Sequence, residues 1–357
     1  MSIIALTGGG TAGHITPNLA LIPELEKRGH KIIYIGSKDG MEKDIIERHH
    51  ITFFGISCDK LRRYFDFKNF FIPLNVIKGI NEARKILKEN KAEILFSKGG
   101  YVAVPVVIAA KQLKIPVISH EADFTPGLAN KIATPFSKVV CCNFSETAKM
   151  IKNNKGAHTG CPVRPMILSG NRENGKKLLN FKEKKPILLI MGGSLGSVYI
   201  NNLIRSNLLE LLKHFNIVHS CGKGKIDKKL INKYDGYRQY EIILDELPDI
   251  FAASDIIVSR AGANFIFEVM ALKKLSLLIP LSLKASRGDQ ILNAKNFQEK
   301  HYAEMLLEEE QDKNKNLFLE KLLKLYNNRK EYFKSIDASN LKDGTIKICD
   351  IICENIP

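Results

Sequence analysis

The stretch "IIALTGGGTAGHITPNLALIPELEKRGHKIIYIG" (residues 3–36) carries the pattern on which the fold turns. Ile3 to Leu6 is a short apolar run of strand type, Ile15 to Lys27 has apolar residues at helical spacing, and Lys31 to Ile35 reads as a second strand. Between the first strand and the helix lies Gly8-Gly9-Gly10-Thr11-Ala12-Gly13-His14. A glycine turn feeding a helix N-terminus offers free backbone N–H groups and a partial positive charge, which suits an anion without fixing which one. The same letters read as G-x-G-x-x-G, the fingerprint of a dinucleotide site. That site also wants an acid about 20 residues on, at the end of the second strand. Here the strand ends Gly36-Ser37-Lys38, and the acid is missing. A tight turn with only a packing role is the plainer alternative.

Working outward, 357 residues with 45% apolar content suffice for two domains with full cores. No apolar run approaches the roughly 18 residues of a membrane span, and the N-terminus has no charged region followed by a long apolar stretch, so a cytoplasmic protein is expected. The seven cysteines show no C-x-x-C and no zinc-like histidine spacing, and read as reduced, mostly buried thiols. Lys plus Arg exceed Asp plus Glu by 54 − 38 = 16. Such an excess points to an anionic partner, whether nucleic acid, a lipid surface or a phosphorylated substrate, or to nothing more than lysine-rich solvated faces.

The alternation continues. Apolar strands are expected near Ile32 to Ile35, Glu93 to Phe96, Pro116 to Ser119 and Val139 to Cys142, with helical stretches between. A second series begins at Ile187 to Met191 and runs through Ile217 to Ser220, Glu241 to Leu244, Ile256 to Ser259 and Leu275 to Pro280. The fold class is therefore α/β: two doubly wound Rossmann-like domains in tandem, with an interdomain cleft. Each half has a glycine loop after its first strand, the second being Gly192-Gly193-Ser194-Leu195-Gly196. Two anion sites suggest a donor and an acceptor and count against a dehydrogenase. Further polar groups fall at strand ends: "FSKGGY" (residues 96–101), His120 and Glu121 in "ISHEADFTPGLANK", Glu268 in "SRAGANFIFEVMAL", and Asp289 and Gln290 in "RGDQILNAKNF".

With these residues assembled the chain resembles the MurG family of inverting glycosyltransferases. These move N-acetylglucosamine from UDP-N-acetylglucosamine to undecaprenyl-diphosphate-linked muramoyl-pentapeptide in peptidoglycan synthesis. The matching stretches are "GGGTAGHITPNLAL", "SKGGYVAVP", "HEADFTPGLANK", "TGCPVRP", "GGSLGS", "SRAGANFIFEVMAL" and "RGDQILNAKNF", in family order from about residue 7 to 297. The resemblance implies the GT-B fold, with an acceptor domain at 1–162, a UDP-sugar donor domain at 163–338, and a C-terminal helix within 339–357 packing back on the first domain. That helix is expected at Leu341 to Glu354, with Ile348, Ile351 and Ile352 on one face.

Carried over residue by residue, Gly9, Gly10, Tyr101 and His120 would bind the acceptor, and His14 and Glu121 would be catalytic. Thr11, Gly13, Arg164, Ser194, Glu268 and Gln290 would serve the donor, with Glu268 on the ribose. The sequence departs from the commoner family form at Ala12, Asp123, Cys161 and Asp289, so Gln290 is the better donor contact of its pair. Imidazole titrates near neutrality, and a helix N-terminus would favour its neutral form, so His14 suits the base that takes the acceptor hydroxyl's proton; Glu121 and His120 are rivals. No D-x-D motif marks a metal site, and no cofactor is expected; the loop at Gly192 to Gly196 and Arg164 would take the leaving diphosphate charge.

The implied lipid acceptor requires approach to an anionic membrane surface from the cytoplasmic side. "KLRRYFDFKNFFIPLNVIKG" (residues 60–79) interleaves basic and aromatic residues in a way that suits it. Other cell-wall synthesis proteins are candidate partners and nucleic acid is not. The alternatives are an epimerase acting on UDP-N-acetylglucosamine, a glycolipid transferase with another acceptor, or a non-enzymatic binding protein.

Overall fold

The computed structural model describes residues 1–59, 72–193, 195–339 and 343–357. The chain divides into two compact units, Met1–Arg164 with Asp343–Pro357, and Pro165–Lys342.

The first unit is built on seven parallel strands: β1 (Ile3–Thr7), β2 (Lys31–Ser37), β3 (Thr52–Ile56), β4 (Ile94–Ser97), β5 (Val117–Glu121), β6 (Val139–Cys142) and β7 (Gly156–His158). Their order across the sheet is β3-β2-β1-β4-β5-β6-β7. Parallel neighbours need crossover helices, and helices cover both faces, so the central strands read as unbroken apolar runs. Successive side chains of β1 part to opposite cores. Ile4 and Leu6 join Leu21, Leu25, Ile348 and Ile352 on one side, while Ala5 joins Ala83, Leu87 and Val106 on the other.

Helix Thr345–Glu354 belongs to this unit and packs on helix Thr16–Lys27. Ile348 and Ile352 are fully buried and Ile351 partly so. Burying one such isoleucine contributes roughly 1.5–3 kcal/mol. Arg28 adds a 2.8 Å ion pair to Asp350. The helix starts later than the expected Leu341, and residues 340–342 lie outside the described residues.

The second unit repeats the plan with β8 (Ile187–Met191), β9 (Asn216–Ser220), β10 (Tyr237–Tyr240), β11 (Ile256–Ser259), β12 (Leu275–Leu278) and β13 (Glu304–Met305), in the order β10-β9-β8-β11-β12-β13. Leu188 and Ile190 face Ile200, Ile204 and Phe318, whereas Ile187 and Leu189 face Leu179, Ile250 and Phe251.

The structure corrects several expectations. The strand expected at Glu241 to Leu244 lies four residues earlier, at Tyr237–Tyr240. The apolar run misled because Ile243 is buried as a loop plug while Ile242 and Leu244 are exposed. Strands β3, β7 and β13 were not anticipated. The helix after the second glycine loop is two helices, Val198–Ser206 and Leu208–His214, broken at Asn207.

Candidate functional site

In both sheets the strand order reverses at one place, between β1 and β4 and between β8 and β11. The connections leaving such a pair run to opposite faces of the sheet and open a crevice at the carboxyl ends of the strands. Both glycine loops follow the first strand of such a pair.

In the first unit the loop 8–14 is fixed from below. Tyr34 is buried and donates its hydroxyl to the Gly8 carbonyl at 2.6 Å, while the Asn18 amide donates to the Thr7 carbonyl at 3.2 Å. A 3-10 turn, Ala12–His14, then presents the His14 ring, whose Nδ1 lies 2.9 Å from the Thr11 hydroxyl. The Gly9 carbonyl also accepts a hydrogen bond from the ring. Burial and then the nearby Lys98 ammonium pull the His14 imidazole down to about 4, so it is neutral at physiological pH. A neutral ring was expected; the helix end is not among its causes.

The turn after β4 wraps this loop. Gly100 adopts φ +81°, which a side-chain-bearing residue rarely tolerates, and a Cβ there would collide with the Gly9 carbonyl and crowd His14 Nδ1. The Tyr101 ring lies where a Cβ on Gly10 would stand, so these two acceptor candidates are in contact.

His120 and Glu121 are the last two residues of β5. His120 is fully buried, with Nδ1 2.8 Å from Lys98 Nζ and Nε2 3.4 Å from the Gly160 carbonyl. Desolvation and then Lys98 hold it well below the ordinary imidazole range. Burial raises the Glu121 carboxyl. Its oxygens accept from the Asp123 and Gly127 amides at 3.0 Å each and from the Asn130 side chain at 2.8 Å. Glu121 thus holds the 123–130 segment with both oxygens. Glu42 packs its buried carboxylate against Gly9 and accepts from the Ser37 amide at 2.7 Å; its role was not read from the sequence.

Ser194 of the second unit lies outside the described residues, as do residues 60–71, which make up most of the first unit's basic-aromatic segment. The rest of the loop leads into helix Val198–Ser206, whose N-cap Ser197 accepts from the Ile200 amide at 3.3 Å. Glu268 is 6% exposed, on helix Ala263–Ala271 after β11. Gln290, at the start of helix Asp289–Glu299, accepts from the Leu281 amide at 3.1 Å, while Asp289 pairs with Arg287 at 2.7 Å. Arg164 falls on the first unit as its last residue before the crossing, not in the donor half expected for it.

Sequence reasoning missed Arg260. It donates to Glu308 at 2.6 Å, to the Ser197 hydroxyl at 2.7 Å and to the Ile279 and Pro280 carbonyls at 3.1 Å. One guanidinium therefore ties the donor-side helix N-terminus to two neighbouring loops. A charged residue placed directly after the apolar run Ile256–Ser259, at a switch point, was the available signal. Behind the loop, fully buried His219 contacts the Tyr237 hydroxyl and Asn201 Oδ1, each at 2.9 Å, and Asn201 donates to the Cys221 carbonyl at 2.8 Å. That carbonyl packs against Gly196.

Two parallel sheets with paired glycine loops at their switch points have counterparts in known families. Residues 4–141 match the glycosyltransferase family 28 N-terminal domain, and residues 187–347 match its C-terminal domain. The chain belongs to glycosyltransferase family 28. It is a glycosyltransferase of two Rossmann-like domains in the GT-B arrangement of elements. A relative from Clostridium tetani is 57% identical over 98% of this chain and 97% of its own length. One from Clostridium botulinum (strain Kyoto) is 54% identical over 99% of both chains. Both are named UDP-N-acetylglucosamine--N-acetylmuramyl-(pentapeptide) pyrophosphoryl-undecaprenol N-acetylglucosamine transferase. The solved structure of MurG from Acinetobacter baumannii shares the fold with TM-score 0.77 at 24% identity, over 99% of this chain and 100% of that one. A UDP-GlcNAc 2-epimerase from Neisseria meningitidis shares it with TM-score 0.67 at 16% identity, over 99% of each chain. The fold alone thus serves transferases and epimerases, and family membership separates them.

Proposed function

We propose that this family 28 enzyme transfers N-acetylglucosamine from UDP-N-acetylglucosamine to the C4 hydroxyl of undecaprenyl-diphosphate-linked N-acetylmuramoyl-pentapeptide. The observation that carries this reading is the 57% identity along essentially the whole chain to a relative named for that transfer. In the step itself the C4 oxygen bonds to the anomeric carbon, the bond from that carbon to the UDP oxygen breaks, and configuration inverts. The hydroxyl proton passes to His14.

The geometry favours His14 as that base. Its Nδ1 lies by the Thr11 hydroxyl and the ring donates to the Gly9 carbonyl, which anchors a neutral imidazole whose other nitrogen offers a lone pair. Glu121, whose two oxygens already hold three donors, positions the acceptor-side loop in place of the catalytic role expected of it, and His120, fully buried, supports it from the core in place of binding the acceptor. Gly9, Gly10 and Tyr101 bind the acceptor. Thr11, Gly13, Arg164, Ser194, Glu268 and Gln290 serve the donor, with Glu268 accepting ribose hydroxyls. No metal is required: the leaving UDP is stabilised by the 192–196 backbone and Arg164.

The first unit meets the cytoplasmic face of an anionic membrane. Helix Ile72–Glu89 supports this, because Leu74 and Ile77 are 61% and 57% exposed and Lys78, Arg84, Lys85 and Lys88 are exposed beside them.

The test is a chelated assay with UDP-N-acetylglucosamine and a short-chain acceptor analogue, following UDP and disaccharide together with His14→Ala and Glu268→Ala alongside. Equal release of both products by the wild type, and failure of both variants, is expected. UDP release without disaccharide refutes the acceptor, and dependence on added metal refutes the metal-free step. Leu74→Ser with Ile77→Ser should lower binding to anionic vesicles at unchanged stability; undiminished binding rejects the membrane surface.

A further inference from the structure

A lysine at the end of a central parallel strand is out of place. An ammonium taken from water costs several kcal/mol unless it is well paired. Lys98 is only 2% exposed, and its 2.8 Å partner is the imidazole of His120 rather than a carboxylate. Burial lowers its proton affinity, while Cys161, Glu121, Asp123 and Cys141 oppose that from the surrounding strands and loops. A neutral ring nitrogen facing an ammonium accepts. His120 Nδ1 therefore takes the Lys98 hydrogen, and its proton sits on Nε2, towards the Gly160 carbonyl.

Lys98 is also woven into the loop that bears His14. Its amide donates to the Thr7 carbonyl at 2.9 Å, and its Cβ lies 3.0 Å from where a Cβ on Gly8 would stand. Two residues on, Gly100 meets both the Gly9 carbonyl and His14 Nδ1. The other titratable groups around this loop are Tyr101 over Gly10, Glu42 against Gly9, and the buried His120 and Glu121 at the end of β5. After burial, Lys98 is the next cause that lowers the proton affinity of the His14 ring.

We propose that Lys98 is a positioning residue for the transfer: anchored on His120, it holds the turn 98–101 against the loop 8–14 and so sets the place and surroundings of the His14 ring as the proton acceptor. Lys98 is only 2% exposed and acts through His14. The inference rests on His14 being the base, so its test reads the ring directly as well as the rate.

The full-length protein, labelled with ¹³C in its histidine rings, is titrated by NMR between pH 3.5 and 8. The His14 signal is assigned by its loss in His14→Gln. In the wild type the signal keeps its neutral position down to about pH 5 and turns over near 4. In Lys98→Met the midpoint rises by about one pH unit, the size expected on removing a nearby like charge. The acid limb of kcat/KM moves up with it, while activity at pH 8 recovers towards the wild type. Lys98→Gln, which keeps a donor for His120, serves as the second variant should the methionine fail to fold, and it should shift the ring in the same direction. A His14 signal and an acid limb unchanged in a folded Lys98 variant overturn the proposal. Normal turnover by His14→Ala overturns the base assignment instead, and the NMR shift still decides whether Lys98 governs the ring.

Discussion

At the β1/β4 crevice a buried lysine leans on a neutral histidine, whereas at the β8/β11 crevice a half-buried arginine is met by a carboxylate and three oxygens. Burial, and then Lys98, depress the proton affinity of His14 and His120. The Arg260 charge is cancelled locally by Glu308, and its directed donors fix Ser197 and two strand-end carbonyls. In the proposed reaction the first sheet end would manage a proton and the second would hold a rigid cradle for an anion. The same topology then serves two tasks, set by what each cation is paired with.

Four changes break or sharpen this contrast. The largest effect should come from His14→Ala, which removes the proposed base and should lower kcat by about a thousand-fold, or ~4 kcal/mol of barrier, with folding unchanged by circular dichroism. Next, Arg260→Met leaves Glu308 without its cation and should destabilise the second unit by about 3 kcal/mol, seen in urea unfolding with hydrogen exchange rising around β11 and β12 and not around β1. Ile352→Ala removes a fully buried side chain from the first unit's core and should cost about 2–4 kcal/mol, with the exchange pattern reversed.

The smallest effect concerns pH. His14 and His219, one in each unit, are held down to about 4 and about 3. Between roughly pH 6.5 and those values the unfolded chain binds more protons than the folded one, so their contribution to stability is complete above pH 6.5 and is lost as pH falls. Urea midpoints should decline from pH 6.5 to 4.5. His219→Gln should flatten part of that decline.

The sequence disclosed the architecture where glycine and apolar runs punctuate sharply. Ile187–Met191, Ile256–Ser259 and Val139–Cys142 are strands at the residues expected, and both glycine loops fall at switch points. Short strands such as Gly156–His158 and Glu304–Met305 carry too few residues for a period to show. The candidate residues His14, Tyr101, His120 and Glu121 were legible because each ends a strand or a loop. The partners of Lys98 and Arg260 were not, because they depend on which strands are neighbours. Lys98 meets His120 only because β4 lies beside β5, 22 positions on.

The first unit is interrupted: its helix Thr345–Glu354 comes after every residue of the second. During synthesis the second unit is therefore complete, through Lys342, while the first still lacks the segment that covers Leu21 and Leu25. Domains ordinarily mature in the order they leave the ribosome. Here the later one finishes first, and the helix Thr16–Lys27 that follows the His14 loop gains its cover only once Asp343–Pro357 has emerged.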